Sequence, residues 1–494
     1  MYGVTFLNLD FSLRTQPQVE LAVEKLQWSS EGGPEVATMA VLEKKNAGIG
    51  ANAMRPNGID LVGLLRSPVK VWNESGRVVW IGYVESVEVG GMMYSLVGMA
   101  NHVQAMYTFA VNEGPTMTVQ KSFTDWVADL GSQAIYGKKD KILSVGALTA
   151  ERATSIRDQA LSEHSRPRPA AGTARKGSTL TCRGWYATLG WTYYTNPAGM
   201  VGYTVTGTGG IGIPGTSRPN SAQSWQSPTS GWNLDAVWLK VGKAGAPGDN
   251  FLLTLVADNG GVPGGTVLAS CTVAASTIGK DYTWIKFPLS PVVTVGAGIY
   301  WFTLARSGSY DVNNYVQLKT NITRAYSGGV LRNLTQGVWA ANNPDSDLNF
   351  LIQDRQETTG QIAAIVGDAA CGQFLAGVVI EGPSGLYSCQ YRDGTKTGLQ
   401  EIKTLLASGN SSGDGLVALV DAGRVLHVRS RSSGVQLTQG ADGVARDAYG
   451  QVASEDLIAA QWVRIEGPGQ ELFGAQFVTR VQVDGAGNVS LGTE

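Results

Sequence analysis

Short strand-sized segments separated by glycine-containing turns recur along most of this 494-residue chain. The clearest example is residues 66–89, where alternating apolar residues are interrupted by the turn at residues 73–76. Period-two alternation on both sides of a short turn is typical of a β-hairpin. The chain has 64 glycines, which follow no regular period and so exclude collagen. We therefore expect a mainly β protein with small α+β parts.

The length and charge of the chain limit its organisation and its partners. At 52.2 kDa it is too long for one ordinary hydrophobic core, so we expect about two to four domains. The formal net charge is −2, from 38 basic and 40 acidic side chains. Because no strong field of either sign results, nucleic acid is not expected as the main partner.

The cysteines and the apolar segments indicate a chain made in the cytoplasm. Cys182, Cys271, Cys371 and Cys389 form no CxxC pair, which argues against a zinc knuckle or a redox motif. We interpret them as buried, reduced thiols rather than disulfides. The N-terminus lacks signal-peptide features, and every apolar run is far shorter than a membrane span. No membrane span is therefore expected.

A change of periodicity predicts a helical insertion and linker at residues 117–177. Phe123, Trp126 and Leu130 stand at helical spacing. A second helix is expected at residues 151–163, followed by an exposed segment rich in Pro, Gly and Arg.

Residues 355–430 predict a second portion of mixed α+β type. Thr397 and Gln400 form a T-x-x-Q capping box in front of an apolar helical stripe, and Gly409 is expected to end that helix. A shorter helix is expected around Ile362, and two strands are expected after residue 415.

Residues 206–354 predict a domain of their own. Strand-sized apolar runs alternate there with turns such as residues 258–265, a rhythm typical of an all-β sandwich or jelly roll. The glycine-rich segment at the start of this domain is interpreted as a linker.

Three tryptophans of this domain stand in the middle of predicted strands, between apolar neighbours. If those neighbours face the core, alternation turns the tryptophans outward. Outward aromatic rings stack on sugar rings in lectin-like modules. In the alternative, both faces of these strands are buried, and the residues leave that alternative open. The candidate glycan contacts, including polar and aromatic residues of one loop, are Trp238, Trp284, Trp301, Tyr310, Asn313, Asn314 and Tyr315.

Motifs for catalysis or metal binding are weak in this sequence. His102, His164 and His427 show no metal-ligand spacing. Residues 409–413 fit the pattern GxSxG, but a helix is predicted before them and a strand after them. A nucleophile elbow has the reverse order, so we interpret the segment as a loop.

Two further motif matches receive similarly plain interpretations. Gly207, Gly209 and Gly212 fit GxGxxG, but Pro214 follows where a phosphate-binding helix should begin. The acidic residues 345–347 lack the glycine and glutamate of an EF-hand loop and are interpreted as a polar turn. No catalytic residue, cofactor or metal site is predicted, although a pair of carboxylates serving a glycosidase cannot be recognised from sequence.

Three segments together resemble the hub protein of the tailed-bacteriophage baseplate or tail tip: VVWIGYVESV (78–87), LTCRGWYATLGWTYY (180–194) and SGLYSCQYRDG (384–394). The resemblance lies in pattern and order and covers most of residues 1–205 and 356–494. It implies a trimer of linked β-barrels with helical insertions that closes the tail tube and connects it to fibres.

A second resemblance concerns the domain at residues 206–354. AQSW (222–225), the turn at residues 258–265 and YTWI (282–285) are similar to a small jelly-roll module of bacterial surface and phage proteins. That module is like carbohydrate-binding modules, which implies an accessory binding role and carries over no individual site residue.

The two resemblances imply a division of the whole chain. The expected parts are a first hub β-barrel portion (1–116), a helical insertion and linker (117–177), return strands of the hub frame (178–205), an inserted carbohydrate-binding-like sandwich (206–354), a second hub portion (355–430) and a C-terminal β segment (431–494).

The function expected from these features is structural and non-enzymatic. The chain is expected in the virion, at the phage tail tip, as a homotrimer. Its expected partners are a distal tail protein, a tape measure protein and fibres, with a host-surface glycan at the accessory domain. A dedicated receptor-binding or adhesion protein is the alternative, and a tail-associated glycan depolymerase or hydrolase is a third hypothesis.

Overall fold

The computed structural model describes most of the chain. The described residues are 2–14, 21–29, 31–42, 60–74, 76, 78–113, 116–172, 177–204, 209–214, 216–228, 231–321, 326–341, 346–431, 438–439, 445–446, 463–466, 471–474, 479–483 and 489–493. The predictions for residues 207 and 345, and for most of residues 431–494, fall outside them.

Strands make up most of the regular structure, which confirms the predicted mainly β class with small α parts. The helices are α1 (Leu130–Tyr136), α2 (Ala150–His164), α3 (Thr358–Gly367) and α4 (Gly398–Ala407). The strands are β1 (Gly3–Phe6), β2 (Leu21–Ser29), β3 (Gly33–Val41), β4 (Pro68–Trp72), β5 (Val78–Val89), β6 (Met92–Ser95), β7 (His102–Glu113), β8 (Thr116–Phe123), β9 (Val127–Ala128), β10 (Asp140–Ala147), β11 (Pro169–Ala171), β12 (Thr179–Arg183), β13 (Tyr193–Asn196), β14 (Met200–Tyr203), β15 (Gly209–Ile213), β16 (Thr216–Ser227), β17 (Trp232–Ala244), β18 (Asn250–Asp258), β19 (Pro263–Ala274), β20 (Thr283–Val295), β21 (Gly298–Arg306), β22 (Tyr315–Asn321), β23 (Leu331–Thr335), β24 (Val338–Ala341), β25 (Asp347–Leu348), β26 (Phe350–Gln353), β27 (Arg355–Glu357), β28 (Gly377–Ile380), β29 (Tyr387–Cys389), β30 (Arg392–Thr397), β31 (Leu416–Val420), β32 (Val425–Ser430), β33 (Thr438–Gln439), β34 (Ala445–Arg446), β35 (Val463–Glu466), β36 (Glu471–Gly474), β37 (Thr479–Val483) and β38 (Val489–Thr493).

The chain divides into two compact units. Unit 1 consists of Met1–Tyr194, Thr358–Leu386 and Thr395–Glu494, and unit 2 consists of Thr195–Glu357 and Tyr387–Gly394. Unit 2 therefore interrupts unit 1 in the sequence.

Unit 1 is built around a sheet with the strand order β1-β4-β5-β12-β3-β2. The sequence-predicted hairpin forms its β4–β5 pair, with Val71 opposite Trp80. Trp80, Tyr83 and Trp185 are fully buried in the core of this unit. The aromatic-rich segments at residues 78–87 and 180–194 thus supply the largest core side chains.

The predicted helix around Phe123 is wrong. Residues Thr116–Phe123 form β8, which pairs with β7 and places Phe123 opposite Met106. Pairing with a long neighbouring strand therefore overrides the local helical spacing. Helix α1 begins only at Leu130, where the Asp129 carboxylate caps it, while α2 lies where the second helix was expected.

The capping box predicted for α4 is confirmed. The Thr397 hydroxyl accepts a hydrogen bond from the Gln400 backbone N–H at 3.3 Å, and Gln400 Oε1 accepts one from the Thr397 N–H at 2.9 Å. Gly409 lies just past the helix with a φ of 69°, a conformation that favours glycine. The segment at residues 409–413 is a loop between α4 and β31, as interpreted.

Unit 2 is a two-sheet sandwich. In the first sheet, β17 pairs along one edge with β20 and along the other with β26 and β22. Beyond them, β14 pairs with β26 and β15 with β22. The second sheet contains β19, β18, β21, β16, β23 and β24 in that order, and β20 reaches it through a pair with β19.

The core of unit 2 lies between these two sheets. Phe251 meets Phe287 at a ring-centre distance of 5.5 Å, and Phe302 meets Phe350 at 5.3 Å. In each pair the two rings come from opposite sheets, so the aromatic side chains join the layers. Such rings are worth more than their buried area alone, since offset and tilted pairs attract each other.

The start of unit 2 differs from the expected boundary at residue 206. Strand β14 lies before that boundary, yet Val201 stands opposite Ile352 in β26. The interpretation of the following glycine-rich segment as a linker is also wrong over Gly209–Ile213. These residues form β15, with Ile211 opposite Leu318.

The described residues contain no helix that is both long and apolar enough to cross a bilayer. The same described residues contain no cluster of three or more His, Cys, Asp or Glu side chains suited to a metal ion. All four cysteines are free thiols; Cys182, Cys271 and Cys371 are buried, and Cys389 is partly buried.

Candidate ligand-binding groove

The first sheet of unit 2 carries a groove on the face that points away from the core. Its cavity volume is about 330 Å³. The residues that line it come from β15, the residue after β15, β22, the loop before β22 and the residue before β20: Gly210, Ile211, Gly212, Pro214, Tyr282, Val312, Tyr315 and Gln317.

Alternating glycines form the floor of this groove. Gly210 and Gly212 are exposed on the outer face of β15, while Ile213 is fully buried in the core below. The sequence GGIGI thus follows the two-residue period of a strand with one face empty of side chains. Because Gly210 and Gly212 have no side chains, the strand surface has a depression, and neighbouring rings lie in it.

Two tyrosine rings lie over this glycine floor. A Cβ added at Gly210 would sit 2.7 Å from the hydroxyl oxygen of Tyr282, and one added at Gly212 would sit 2.8 Å from Cε2 of Tyr315. Atoms cannot approach so closely without displacement, so both ring positions depend on glycine. The rings are half-buried and leave part of their surface available for a ligand.

Polar groups accompany the rings. Gln317 Nε2 donates a hydrogen bond to the Tyr315 hydroxyl at 3.2 Å. Burial raises the pKa of Tyr282, and the nearby Tyr315 adds to that shift. Tyr282 therefore stays a neutral phenol at physiological pH and can donate as well as accept a hydrogen bond.

A rigid loop closes one end of the groove. The Asp311 carboxylate accepts hydrogen bonds from the backbone N–H groups of Asn313 (2.8 Å) and Asn314 (3.2 Å) and from the Asn314 side chain (2.9 Å). The Asp311 N–H in turn donates to the Pro214 carbonyl at 2.8 Å. Side-chain and backbone hydrogen bonds from Asn314 and Asn313 lower the pKa of Asp311.

The ion pair between Arg306 and Asp249 supports this loop from below. Arg306 is 3% exposed, and its Nε lies 3.0 Å from both Asp249 oxygens. Its Nη1 donates to the Asn314 carbonyl at 2.6 Å. One buried guanidinium therefore fixes the backbone just before Tyr315.

Six of the seven predicted glycan contacts fall into three groups in the structure. Tyr315 lines the groove. Trp238 and Trp284 lie half-buried on the same outer sheet face, opposite Lys286 and Lys240 in the strand register. Tyr310 and Asn313 are exposed in the neighbouring loop, where Asn314 uses its side chain for bonds within the loop and to Ala246.

Trp301 is wrong as a candidate glycan contact, because its ring is covered. Trp301 is 1% exposed and packs against Ala222 and Val256. Its Nε1 donates to Asp258 Oδ1 at 2.6 Å. The side chain points away from the main core, as alternation requires. It is still covered, because Trp339 of the β23–β24 hairpin packs against the cluster that contains it. The alternative with both strand faces buried is the correct one at this position.

Sequence reasoning missed most of the residues that build the groove. The sequence indicates no binding role for Tyr282, and it predicts a linker at Gly210 and Gly212. The signal was present as alternation in two segments, GGIGI at β15 and YVQLKT at the start of β22. What the sequence could not reveal is that these two strands are neighbours.

The groove is chemically suited to binding a ring with both apolar and polar surfaces. Its lining side chains are aliphatic, aromatic or amide, and none is a carboxylate or a basic group. Aromatic faces stack on the apolar faces of sugars, and phenol and amide groups bond to hydroxyls.

Unit 1 contains a separate histidine–carboxylate pair. His102 Nδ1 lies 2.6 Å from Asp140 Oδ1, and the imidazole stacks on Trp126 at a ring-centre distance of 4.4 Å. The Asp140 Oδ2 atom accepts the Tyr193 N–H at 3.0 Å. The pair joins β7, β10 and the segment after Trp191, a structural role that the sequence did not indicate.

Comparisons with known proteins leave the family of this chain open. No family model matches the sequence, and no curated protein matches it. One similar solved structure contains the cysteine protease and lectin-like domains of Cwp84, a surface layer associated protein of Clostridium difficile. It has 13% identity and a TM-score of 0.23 over 38% of this chain and 40% of that one.

A second similar structure is a glycoside hydrolase family 43 arabinoxylan arabinofuranohydrolase from Bacillus subtilis, in complex with cellotetraose. It has 10% identity and a TM-score of 0.18 over 57% of this chain and 63% of that one. The chain thus spans less than two thirds of either protein. Similarity at this level carries no argument about function.

Proposed function

We propose that this chain is a non-enzymatic structural component of a phage tail tip whose unit 2 binds a glycan of the host surface. The observation that carries the binding role is the groove in which Tyr282 and Tyr315 lie over Gly210 and Gly212. The tail-tip role rests on the resemblance of residues 78–87, 180–194 and 384–394 to the hub family.

The geometry favours a sugar over a flat, fully apolar ligand. Each tyrosine offers an apolar ring face together with a hydroxyl, and Gln317 adds an amide beside Tyr315. Sugar rings present the same combination, with C–H faces and hydroxyl edges. The rings are also held in place by the sheet and the loop, so little conformational entropy is lost on binding.

Binding rather than hydrolysis suits the groove. Glycosidases use two carboxyl groups on either side of the scissile bond. The groove lining contains no carboxylate, and the nearby Asp311 already accepts three hydrogen bonds within its own loop.

A glycan array probed with the full 494-residue chain tests the binding role. We expect saturable binding that falls about fivefold or more in Tyr282→Ala, since stacking on an aromatic ring contributes on the order of 1 kcal/mol or more. Tyr310→Ala is the matched control, because Tyr310 is 66% exposed and does not line the groove. Equal loss in both variants, or no bound glycan, would contradict the groove as the site.

The tail-tip role predicts a homotrimer, whose molar mass can be measured in solution. Light scattering of the purified chain should give three times the 52.2 kDa chain mass, since closed rings of identical subunits suit the end of a tube. A monomer with intact glycan binding would instead favour the alternative, a dedicated receptor-binding protein.

A further inference from the structure

Lys319 places a cation at the rim of the groove. Lys319 lies opposite Gly210 in the β15–β22 register, and its Nζ is 4.9 Å from the centre of the Tyr282 ring. Because alternate residues of a strand share a face, Lys319 stands on the same side of the sheet as Gln317 and Tyr315.

Lys319 has no carboxylate partner in the part of the chain that the structure describes. Lys286, on the same outer sheet face, is different, since its Nζ lies 3.0 Å from Asp235. An ammonium group has three N–H donors, and attraction to the face of the Tyr282 ring satisfies only one side of it. Lys319 therefore keeps donors for a ligand that rests on that ring.

The opposite end of the groove has the opposite charge. The backbone N–H of Asp311 donates to the Pro214 carbonyl there. Pro214 follows Gly210 by four residues, which corresponds to roughly 13 Å of extended chain. A ligand with a negative group is thus attracted to the end with Lys319 and repelled from the end with Asp311. Charge complementarity of this kind sets orientation and specificity more than affinity.

We propose that the groove selects glycans that carry an anionic group, with a sugar ring on Tyr282 and its carboxylate or phosphate paired with Lys319. This inference rests on the proposed function, in which the groove binds a glycan. It adds the chemical class of that glycan and the residue that recognises it.

The test uses pairs of glycans that differ only in charge. Oligogalacturonate and its methyl ester represent the carboxylate source, and a phosphorylated mannan with its phosphatase-treated form represents the phosphate source. The full chain is titrated with each by calorimetry. We expect the charged member of at least one pair to bind about tenfold more tightly, as hydrogen bonds to charged groups allow, with a difference that shrinks at high salt.

Three variants assign the preference to Lys319. Lys319→Gln should abolish the difference between charged and neutral members, and Lys319→Arg should retain most of it. Lys286→Gln, the matched control, should leave the difference unchanged, since Lys286 is paired with Asp235. Thermal unfolding of each variant verifies that it folds.

The outcomes separate the two proposals. Equal affinity for charged and neutral members, or a charge preference that survives Lys319→Gln, overturns the selection of anionic glycans and leaves glycan binding intact. A chain that binds none of the four ligands and no glycan of the array overturns the proposed function, and this inference with it.

Discussion

The aromatic ring of Tyr315 lies on Gly212 so closely that a Cβ at residue 212 would sit 2.8 Å from its Cε2 atom. The same relationship holds between Tyr282 and Gly210, at 2.7 Å. The two glycines therefore shape the proposed binding surface, by leaving room for the rings that form it.

Gly212→Ala should disturb the groove as well as the fold. The added Cβ must push the Tyr315 ring aside, at a cost of about 1–3 kcal/mol in the free energy of unfolding. We also expect glycan binding to weaken. Gly265→Ala is the control, because Gly265 is also in a strand and a Cβ there meets no atom within 4 Å. Urea unfolding and titration of both variants check this, and similar results for the two would refute the steric argument.

Trp301→Ala should cost stability typical of a core residue. Trp301 is 1% exposed and bonds to Asp258, so we expect a loss of about 3–5 kcal/mol. Trp284→Ala, at a half-buried position of the outer face, should cost about 1 kcal/mol. Denaturant unfolding of the two variants gives the comparison. If Trp301→Ala lowers the free energy of unfolding no more than Trp284→Ala does, the β23–β24 hairpin does not hold this ring.

The ion pair of Asp249 with Arg306 should make the stability of unit 2 depend on pH. Burial alone would raise the pKa of Asp249, but the hydrogen bonds from Arg306 and Gly308 and the Arg306 charge outweigh it, so the pKa lies below its ordinary 3.8. A carboxylate with a lowered folded pKa contributes stability above its unfolded pKa and loses it as pH falls through the folded value.

Asp249→Asn is therefore expected to cost about 3 kcal/mol at neutral pH, because it leaves the buried Arg306 without its counter-charge. The difference from the wild type should begin to shrink as pH falls below about 3.8, where the unfolded carboxyl takes up a proton, and should vanish only below the lower pKa of the folded state. Asp235→Asn is the control, since its partners Lys286 and Arg355 are partly exposed and such pairs contribute within about 1 kcal/mol. A pH-independent difference for Asp249→Asn would contradict the assignment.

Thr397→Ala should destabilise unit 1 through helix α4. The substitution removes one side of the capping box and should cost about 1 kcal/mol. Thr404→Ala, in the same helix, should be close to neutral because the Thr404 hydroxyl only bonds back to the Gln400 carbonyl. Unfolding curves of the two variants measure the difference, and an equal effect would show that the cap contributes nothing specific.

Local chemistry was sufficient to predict several elements from the sequence. The β4–β5 hairpin follows from alternation around a short turn, and the start of α4 follows from Thr397 and Gln400. In both cases the stabilising contacts join residues close in sequence. The mainly β class likewise follows from repeated local alternation.

Features that depend on distant partners were mispredicted or missed. Residues around Phe123 carry helical spacing, but pairing with β7 makes them a strand. The sequence predicts a linker at Gly209–Ile213, since nothing in it shows that β22 lies beside this segment. The sequence leaves the exposure of Trp301 open, because alternation gives the face of a residue and says nothing about what covers that face.

The sequence alone thus determined which residues alternate and where the capping box of α4 lies. Only the tertiary structure decided that Tyr282, Tyr315 and Lys319 meet over two glycines, and that Trp301 does not join them. The physical reason is that backbone periodicity is a local property, whereas a groove is made by strands brought together across more than a hundred residues of chain.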